Sequence, residues 1–365
     1  MIVLVANTGS SSLKLRVVGS TDEVLAAADL PAPGPNGDRG ELERFVDGAV
    51  ELDAVGHRIV HGGDLRASTL VDARTEHRLG ELGELAPLHN RPALAVLGAL
   101  RELRPDLPHV ACFDTTFHAT LPPGAALYPV PREWIEQFGL RRFGFHGLSH
   151  EWASARSAQL LGAEPTELRV VTCHLGAGAS LAAVAGGRSV DTTMGFTPNE
   201  GLAMATRSGS IDPGMLLWLL RRAGLGADEA EWALDHESGL LGLSGRSGDM
   251  QEVIAGADAA HGWSRDAFAV YLHRLRAGIA AMAAALGGLD ALAFTGGVGE
   301  RSPRVRAEAC AGLAFLGIRL DLVKNEDPGA DDADVSAPDA SVRTLVVLAR
   351  EDLQIARAVR AVLDA

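Results

Sequence analysis

The chain has 365 residues, 47% of them hydrophobic and only 5% aromatic, which is enough apolar material for two globular domains. Its 33 Lys plus Arg face 47 Asp plus Glu, and the resulting formal net charge of -14 repels nucleic acid and anionic lipid, so neither is expected as a partner. Any anionic substrate must then be drawn in by a local cluster of cations, and lysine occurs only at Lys14 and Lys324, leaving arginine as the default cation.

The first predicted element, VLVANTGSSSLKLRVV from Val3 to Val18, is an apolar strand, a polar break and a second strand in which Leu13, Leu15 and Val17 alternate with Lys14 and Arg16. A Gly/Ser turn followed by a lysine suits an anion, because turn N–H groups form concave anion sites and Lys14 adds a point charge. A solvated hairpin tip is the alternative. A Walker-type phosphate loop is excluded, since no glycine-lysine-serine/threonine ending opens a helix here.

GHRIVHGG, Gly56 to Gly63, reads as a strand with Arg58 and Val60 on one face and His57, Ile59 and His61 on the other. An arginine beside a β-branched residue suits a small carboxylate with a short alkyl tail; an arginine paired with a structural acid fits equally well. VACFDTTFH ends an apolar strand on Asp114, where α/β proteins bind ligands and where a helix cap is the competing role. FGFHGLSH, Phe143 to His150, offers His146, whose spacing to His150 resembles a zinc pair only superficially because no glutamate follows His146 directly, and His57 and His61 have no evident third ligand.

RVVTCHLGAGASLAAVAGG, Arg169 to Gly187, repeats the opening hairpin, with Asn7 superposing on His174 and Gly9 on Gly176. The segment Asp191 to Gly214 is predicted as a long irregular loop carrying Arg207. In FTGGVGERSPRVR, Gly296, Gly297 and Gly299 form a turn after a strand, with Ser302 as N-cap and Pro303 opening a helix. The acidic stretch Asp321 to Asp339 is expected to be a solvated surface loop. Further strands are expected near Ala54 to Val60, Pro108 to Phe113 and Ala291 to Thr295. Helices are expected near Arg91 to Leu103, Ser149 to Leu161, Pro213 to Arg222, Ser264 to Leu286, Ser302 to Leu313 and Glu351 to Leu363, an alternation that means an α/β sheet covered by helices. The nearly apolar run Ala277 to Leu289 is too short to span a bilayer. Cys112, Cys173 and Cys310 lack metal-ligand spacing, and no basic region or cleavage site follows Met1; a cytoplasmic location is expected.

With NTGSSSLK, HRIVHGG, APLHN, FDTTFH, FGFHG, HLGAGAS, VDTTMGFTP, TRSG, SGLLGLSGRSGDM, TGGVGE and EDLQIA in order, the chain resembles the acetate kinase family of the sugar kinase/Hsp70/actin superfold. The resemblance implies an α/β protein of two actin-like (ribonuclease H-like) domains with duplicated cores and an active-site cleft between them. Residues 1–116 plus 352–365 would form the N-terminal domain, and 117–351 a nucleotide-binding and dimerisation domain. It implies a homodimer and reversible Mg²⁺-dependent phosphoryl transfer between ATP and acetate. Position by position, it assigns Mg²⁺ to Asn7 and Glu351, acetate to Arg58 with Val60, Leu88, Phe145 and Pro198 around the methyl, and catalysis to Asp114, His146 and Arg207. The nucleotide falls to Ser10, Ser12, Lys14, His174, Leu175, Gly176, Ala177, Gly178, Asp249, Met250, Gln251, Gly297, Val298, Gly299, Glu300 and Arg301.

Phosphoryl transfer asks for in-line positioning and cations around the equatorial oxygens. An acetate carboxylate with a pKa of about 4 to 5 is already ionised at neutral pH and needs no base, so Asp114 is expected to orient Arg58 or a metal-bound water. Ala177 stands where the family has an asparagine, Ala205 for a glycine, Ser210 for an aspartate, Gln251 for an arginine, and Arg301 and Arg350 for asparagines. Most of these departures surround the phosphoryl donor. A pyrophosphate donor, a propionate or butyrate acceptor, and a non-catalytic nucleotide-binding member of the superfold are therefore the alternatives.

Overall fold

The computed structural model describes residues 1–9, 12–31, 39–49, 51–82 and 87–364, the side chains of 87–89 excepted. Ser10 lies outside the described residues, as does the Leu88 side chain. The chain divides into two compact units, one of Met1–Ala119, Phe145–Trp152 and Arg350–Ala365, the other of Thr120–Gly144 and Ala153–Ala349.

In the first unit, strands β1 (Val3–Thr8), β2 (Ser12–Val18), β3 (Val24–Pro31), β4 (Ala54–Ile59), β5 (Thr69–Leu70) and β6 (His109–Phe113) form one sheet of order β3-β2-β1-β4-β6-β5. β1, β4 and β6 are parallel, while β2, β3 and β5 run antiparallel to their neighbours. The parallel strands read as apolar runs because both of their faces are covered, and all five residues of β6 are buried. On β2, buried Leu13 and Leu15 flank exposed Lys14, as the period of two requires. Glycine at position 56 of β4 lets the Glu351–Leu363 helix lie flush on the sheet: a Cβ there would stand 2.7 Å from Ile355 and Val359. That close approach carries Glu351, the helix's first residue, to the carboxyl edge of β1 and β4.

The second unit repeats the plan. Strands β7 (Arg169–Leu175), β8 (Ala179–Ala185), β9 (Arg188–Thr192), β10 (Ala291–Thr295), β11 (Ala333–Asp334) and β12 (Arg343–Val346) are ordered β11-β12-β10-β7-β8-β9, the first sheet read from its other end. Again a three-strand antiparallel meander leads into parallel strands, and a two-residue antiparallel strand closes the edge. Thr8 pairs with Leu13 and Leu175 with Ala179, so the second hairpin tip is one residue shorter than the first.

Two expectations are corrected. Gly296 to Arg301 is a short helix rather than a turn; Ser302 then caps the Pro303–Ala311 helix, its hydroxyl accepting from the Val305 N–H at 3.3 Å. The acidic stretch Asp321 to Asp339 is not simply a solvated loop. It contains the Leu322–Glu326 helix and β11, Asn325 is buried, and Asp332 and Asp334 are ion-paired with Arg156 and Arg343. Asp334 pairs with an arginine nine residues on, whereas Asp332 takes one 176 residues away, which no local charge pattern reveals.

Candidate active site

The carboxyl ends of β1, β4 and β6 gather the charged groups of the first unit. Arg58 on β4 sits beside Cys112 of β6 in parallel register, and Asp114 leaves β6 one residue after Phe113, its N–H bonded to the Ile59 carbonyl at 3.1 Å. The Arg58 guanidinium grips Asp114 through two bonds, Nε to Oδ1 at 3.0 Å and Nη2 to Oδ2 at 2.6 Å. Its Nη1 donates to Asn7 Oδ1 at 3.1 Å and lies 3.7 Å from Glu351 Oε2, which in turn accepts from Asn7 Nδ2 at 2.8 Å. One planar cation is thus oriented on three sides by groups from β1, the end of β6 and the C-terminal helix.

Burial works against the charge of Arg58, but Asp114 and Glu351 outweigh it and hold the guanidinium more firmly protonated than usual. Burial also pushes the Asp114 carboxyl up, against the opposing pull of Arg58 and of the His146 N–H. These two directions conflict, since a raised carboxyl favours a neutral partner. The arginine's direction governs, because a guanidinium does not release its proton near neutrality and a bidentate contact needs an ionised carboxylate.

His146 has φ 56°, a left-handed conformation that a histidine adopts only when its surroundings impose it. They do so here. The next residue, Gly147, donates to the Asp114 carbonyl at 2.8 Å, and a Cβ at Gly147 would fall 2.2 Å from that oxygen. Nε2 of buried His118 lies 3.1 Å from the Phe145 carbonyl, anchoring the other side of the same turn, and burial pushes the His118 pKa down to about 4. Val60 and Phe145 are buried. His61, its backbone clamped by Asn90 at 3.0 Å in both directions, packs edge-on against the Phe145 ring. This is what the APLHN motif does. Lys14 is exposed and pairs with Asn7 across β1 and β2, which puts both side chains on one sheet face; Ser12 opens β2 and accepts from Gly9 N at 2.7 Å.

In the second unit, the β7–β8 turn His174-Leu175-Gly176-Ala177-Gly178 is closed by Gly176 N to Gly178 O at 2.9 Å. Leu175 points into the core, and Ala177 is exposed at the tip. The Ala177 carbonyl accepts from Ala205 N at 3.0 Å, and a Cβ at Gly248 would meet the Ala205 carbonyl at 2.7 Å, so the segment leading to Asp249 is seated beside the turn. Asp249 caps the Met250–Asp258 helix, accepting from Gln251 N at 2.7 Å, and the Met250 side chain is buried. Gly296, with φ 77°, passes so close to β7 that a Cβ would lie 2.8 Å from the Leu175 carbonyl. Glu300 Oε1 accepts from Gly296 N and Ala349 N, both at 2.9 Å, and Arg301 Nε reaches back to the Gly297 carbonyl at 3.2 Å. Val298 and Gly299 belong to the same short helix. Arg207 donates Nη1 to the Pro198 carbonyl at 2.9 Å; burial lowers its pKa against the attraction of Asp235, and it remains a cation at neutral pH.

Sequence reasoning missed Arg306. It is fully buried, and its guanidinium bonds the carbonyls of Gly299 at 2.9 Å and Glu300 at 2.7 Å, with Nε on Asn325 Oδ1 at 2.8 Å and Nη2 on the Asn325 carbonyl at 2.6 Å. It therefore ties the Gly297–Arg301 segment to the Leu322–Glu326 helix. A lone arginine on a short polar helix carries no signal of this.

The sequence pattern of the acetokinase family matches residues 41–357. The chain belongs to the acetokinase family. An acetate kinase of a Synechococcus species is 46% identical to it, over 98% of both chains. Among solved structures, the acetate kinase of Porphyromonas gingivalis superposes with a TM-score of 0.91 at 34% identity, covering 99% of each chain. A propionate kinase from Francisella tularensis superposes at 0.90 with 32% identity over 98% of each. The duplicated sheets are those of the two-domain actin-like fold that such structures share, and an acetokinase is a kinase whose acceptor is a carboxylate.

Proposed function

We propose that this acetokinase-family chain transfers a phosphoryl group, in line and reversibly, between ATP and acetate, giving acetyl phosphate and ADP. The observation that carries this reading is Arg58, a guanidinium bonded to Asp114 and Asn7 and approached by Glu351; Val60, two residues further along the chain, and Phe145 are buried apolar residues that this reading takes as a wall. A planar cation takes the acetate oxygens, and the short apolar wall, completed in this reading by Leu88 and Pro198, takes the methyl. Because acetate is already ionised at neutral pH, Asp114 acts as a positioning residue for Arg58 and removes no proton. His146 and Arg207 neutralise charge on the migrating group, and Lys14, Ser10, Ser12, the His174–Gly178 turn, Asp249–Gln251 and Gly297–Arg301 hold the nucleotide.

Asn7 and Glu351 are the residues that would hold Mg²⁺. A small hard cation prefers one or two protein oxygens plus substrate phosphates and water, and this amide–carboxylate pair supplies them. The ion, when bound, neutralises phosphate charge.

A second acceptor is favoured by the likeness to a propionate kinase, and a second donor by Arg301, a cation folded over the Gly297 carbonyl. The domain division into 1–116 plus 352–365 and 117–351 stays part of the proposal, as do a cytoplasmic location and a homodimer. Exposed Trp218, Trp232 and Trp263 in the second unit support an interface there, and no described helix is long and apolar enough to cross a membrane. A hydroxamate assay with acetate, Mg²⁺ and ATP tests the reading; folded protein that forms no acyl phosphate overturns it. Pyrophosphate and propionate in the same assay decide the variants, and calorimetric ATP binding without turnover supports a non-catalytic nucleotide-binding member instead.

A further inference from the structure

A cavity of about 520 Å³ opens in the first unit among residues Arg66–Ser68, the turn at Thr116 and Phe117, the start of the Gly147–Leu161 helix and the last turns of the Glu351–Leu363 helix. None of its lining residues has a part in the reaction proposed above. One wall is apolar, formed by Ala358, Ala361, Val362 and Phe117. The remainder is polar and carries two guanidinium groups.

Arg66 is exposed and, among the described residues, forms no ion pair. Arg357 is held in place: its Cζ lies 4.8 Å over the Trp152 ring, and Nε and Nη2 reach Asp22 at 2.9 and 2.7 Å. Those bonds leave the Nη1 donors of Arg357 for a ligand. Glu151, the acidic residue lining the cavity, accepts a hydrogen bond from the Gln354 side chain, and burial pushes its carboxyl up. In a chain of net charge -14 this pocket sets two arginines, one of them without an ion pair among the described residues, beside a short apolar wall.

We propose that the pocket binds a short-chain dicarboxylate, its two carboxylates taken by Arg66 and Arg357 and its methylene spine laid on Ala358, Ala361 and Val362. A bare phosphate satisfies the guanidiniums but leaves the apolar wall in water, and a simple fatty acid covers the wall but leaves one arginine unanswered. The pocket also touches elements that carry the candidate active site. Thr116 follows Asp114 by two residues, and the two helices begin at Gly147 and Glu351.

Binding is measured by calorimetry on the full chain, without turnover, so that its outcome is independent of the proposed kinase reaction. The probes are succinate, glutarate and adipate, with inorganic phosphate and butyrate as comparisons. At least one dicarboxylate gives a saturable one-to-one isotherm, about tenfold or more tighter than phosphate or butyrate, and Arg66→Glu and Ala361→Trp each weaken it about tenfold or more. Both positions are exposed, and circular dichroism confirms that the variants remain folded. The proposal is overturned if none of the three dicarboxylates saturates the wild type, if phosphate or butyrate matches them, or if either folded variant binds as the wild type does.

Discussion

Replacing Asp114 with asparagine tests what the buried carboxylate does. Asp114 is 1% exposed and accepts two bonds from Arg58; the amide keeps one oxygen and turns an NH₂ toward the other guanidinium nitrogen, so one charged hydrogen bond is lost and two donors face each other. Removing one partner of a buried ion pair costs about 3–5 kcal/mol, and a lost hydrogen bond to a charged group about 1.5–3. Arg58 keeps Asn7 and the 3.7 Å approach of Glu351, which places the expected cost near the lower bound, about 3 kcal/mol. If that cost falls on the complex with acetate, kcat/KM drops by about 150-fold. The hydroxamate assay from pH 6 to 9 reads it. The loss appears chiefly in the acetate KM, and the shape of the pH profile is unchanged, because no proton leaves through this residue. An Asp114→Asn enzyme within threefold of wild type, or one that loses an acid limb present in the wild type, refutes the positioning role.

Four further outcomes follow from the geometry. His118, buried with a pKa of about 4, is neutral when folded and titrates near its ordinary value of 6.5 when unfolded, so its contribution is complete above that pH and is lost as pH falls. Urea unfolding should show about 2 kcal/mol less stability at pH 5 than at pH 7 from this residue, and His118→Gln should remove that slope; an unchanged slope contradicts it. Ala177→Asn places an amide at an exposed turn tip with room for it and should raise kcat with ATP about tenfold or more, and a rate unaltered with every donor shows that the tip does not touch the transferring group. Val60→Ala should raise the propionate-to-acetate ratio of kcat/KM about tenfold, the worth of one methylene, whereas a fixed ratio removes Val60 from the pocket wall. Asn325→Ala deprives Arg306 Nε of its acceptor and should cost about 1–3 kcal/mol in thermal or urea unfolding; a variant as stable as wild type shows the bond to be dispensable.

The hairpins β1–β2 and β7–β8 were readable because alternation is local, and β4, β6 and β10 because buried parallel strands are short apolar runs between turns. Of the two competing roles of Arg58, pairing with an acid is the one the structure shows, and that acid is Asp114. The nearness of Asn7 to Glu351 is set by Gly56 and the seating of a helix 344 residues away from the strand, and it came only with the family resemblance. The helices Ala73–Leu82, Ala227–His236 and Met250–Asp258 were not anticipated: each is short and strongly polar or half-apolar, without a long periodic stripe. Arg306 and Asn325 were illegible for a different reason. Each looks like a surface residue until the tertiary fold closes over both.

The ion pairs described above are all built with arginine, and lysine is confined to positions 14 and 324. An acyl phosphate is an acylating agent for amines, while a guanidinium stays protonated and unreactive near neutrality. A chain that makes such a compound therefore offers its own product two side-chain amines, and the ion-pair network around Arg58 is assembled from groups the product leaves untouched.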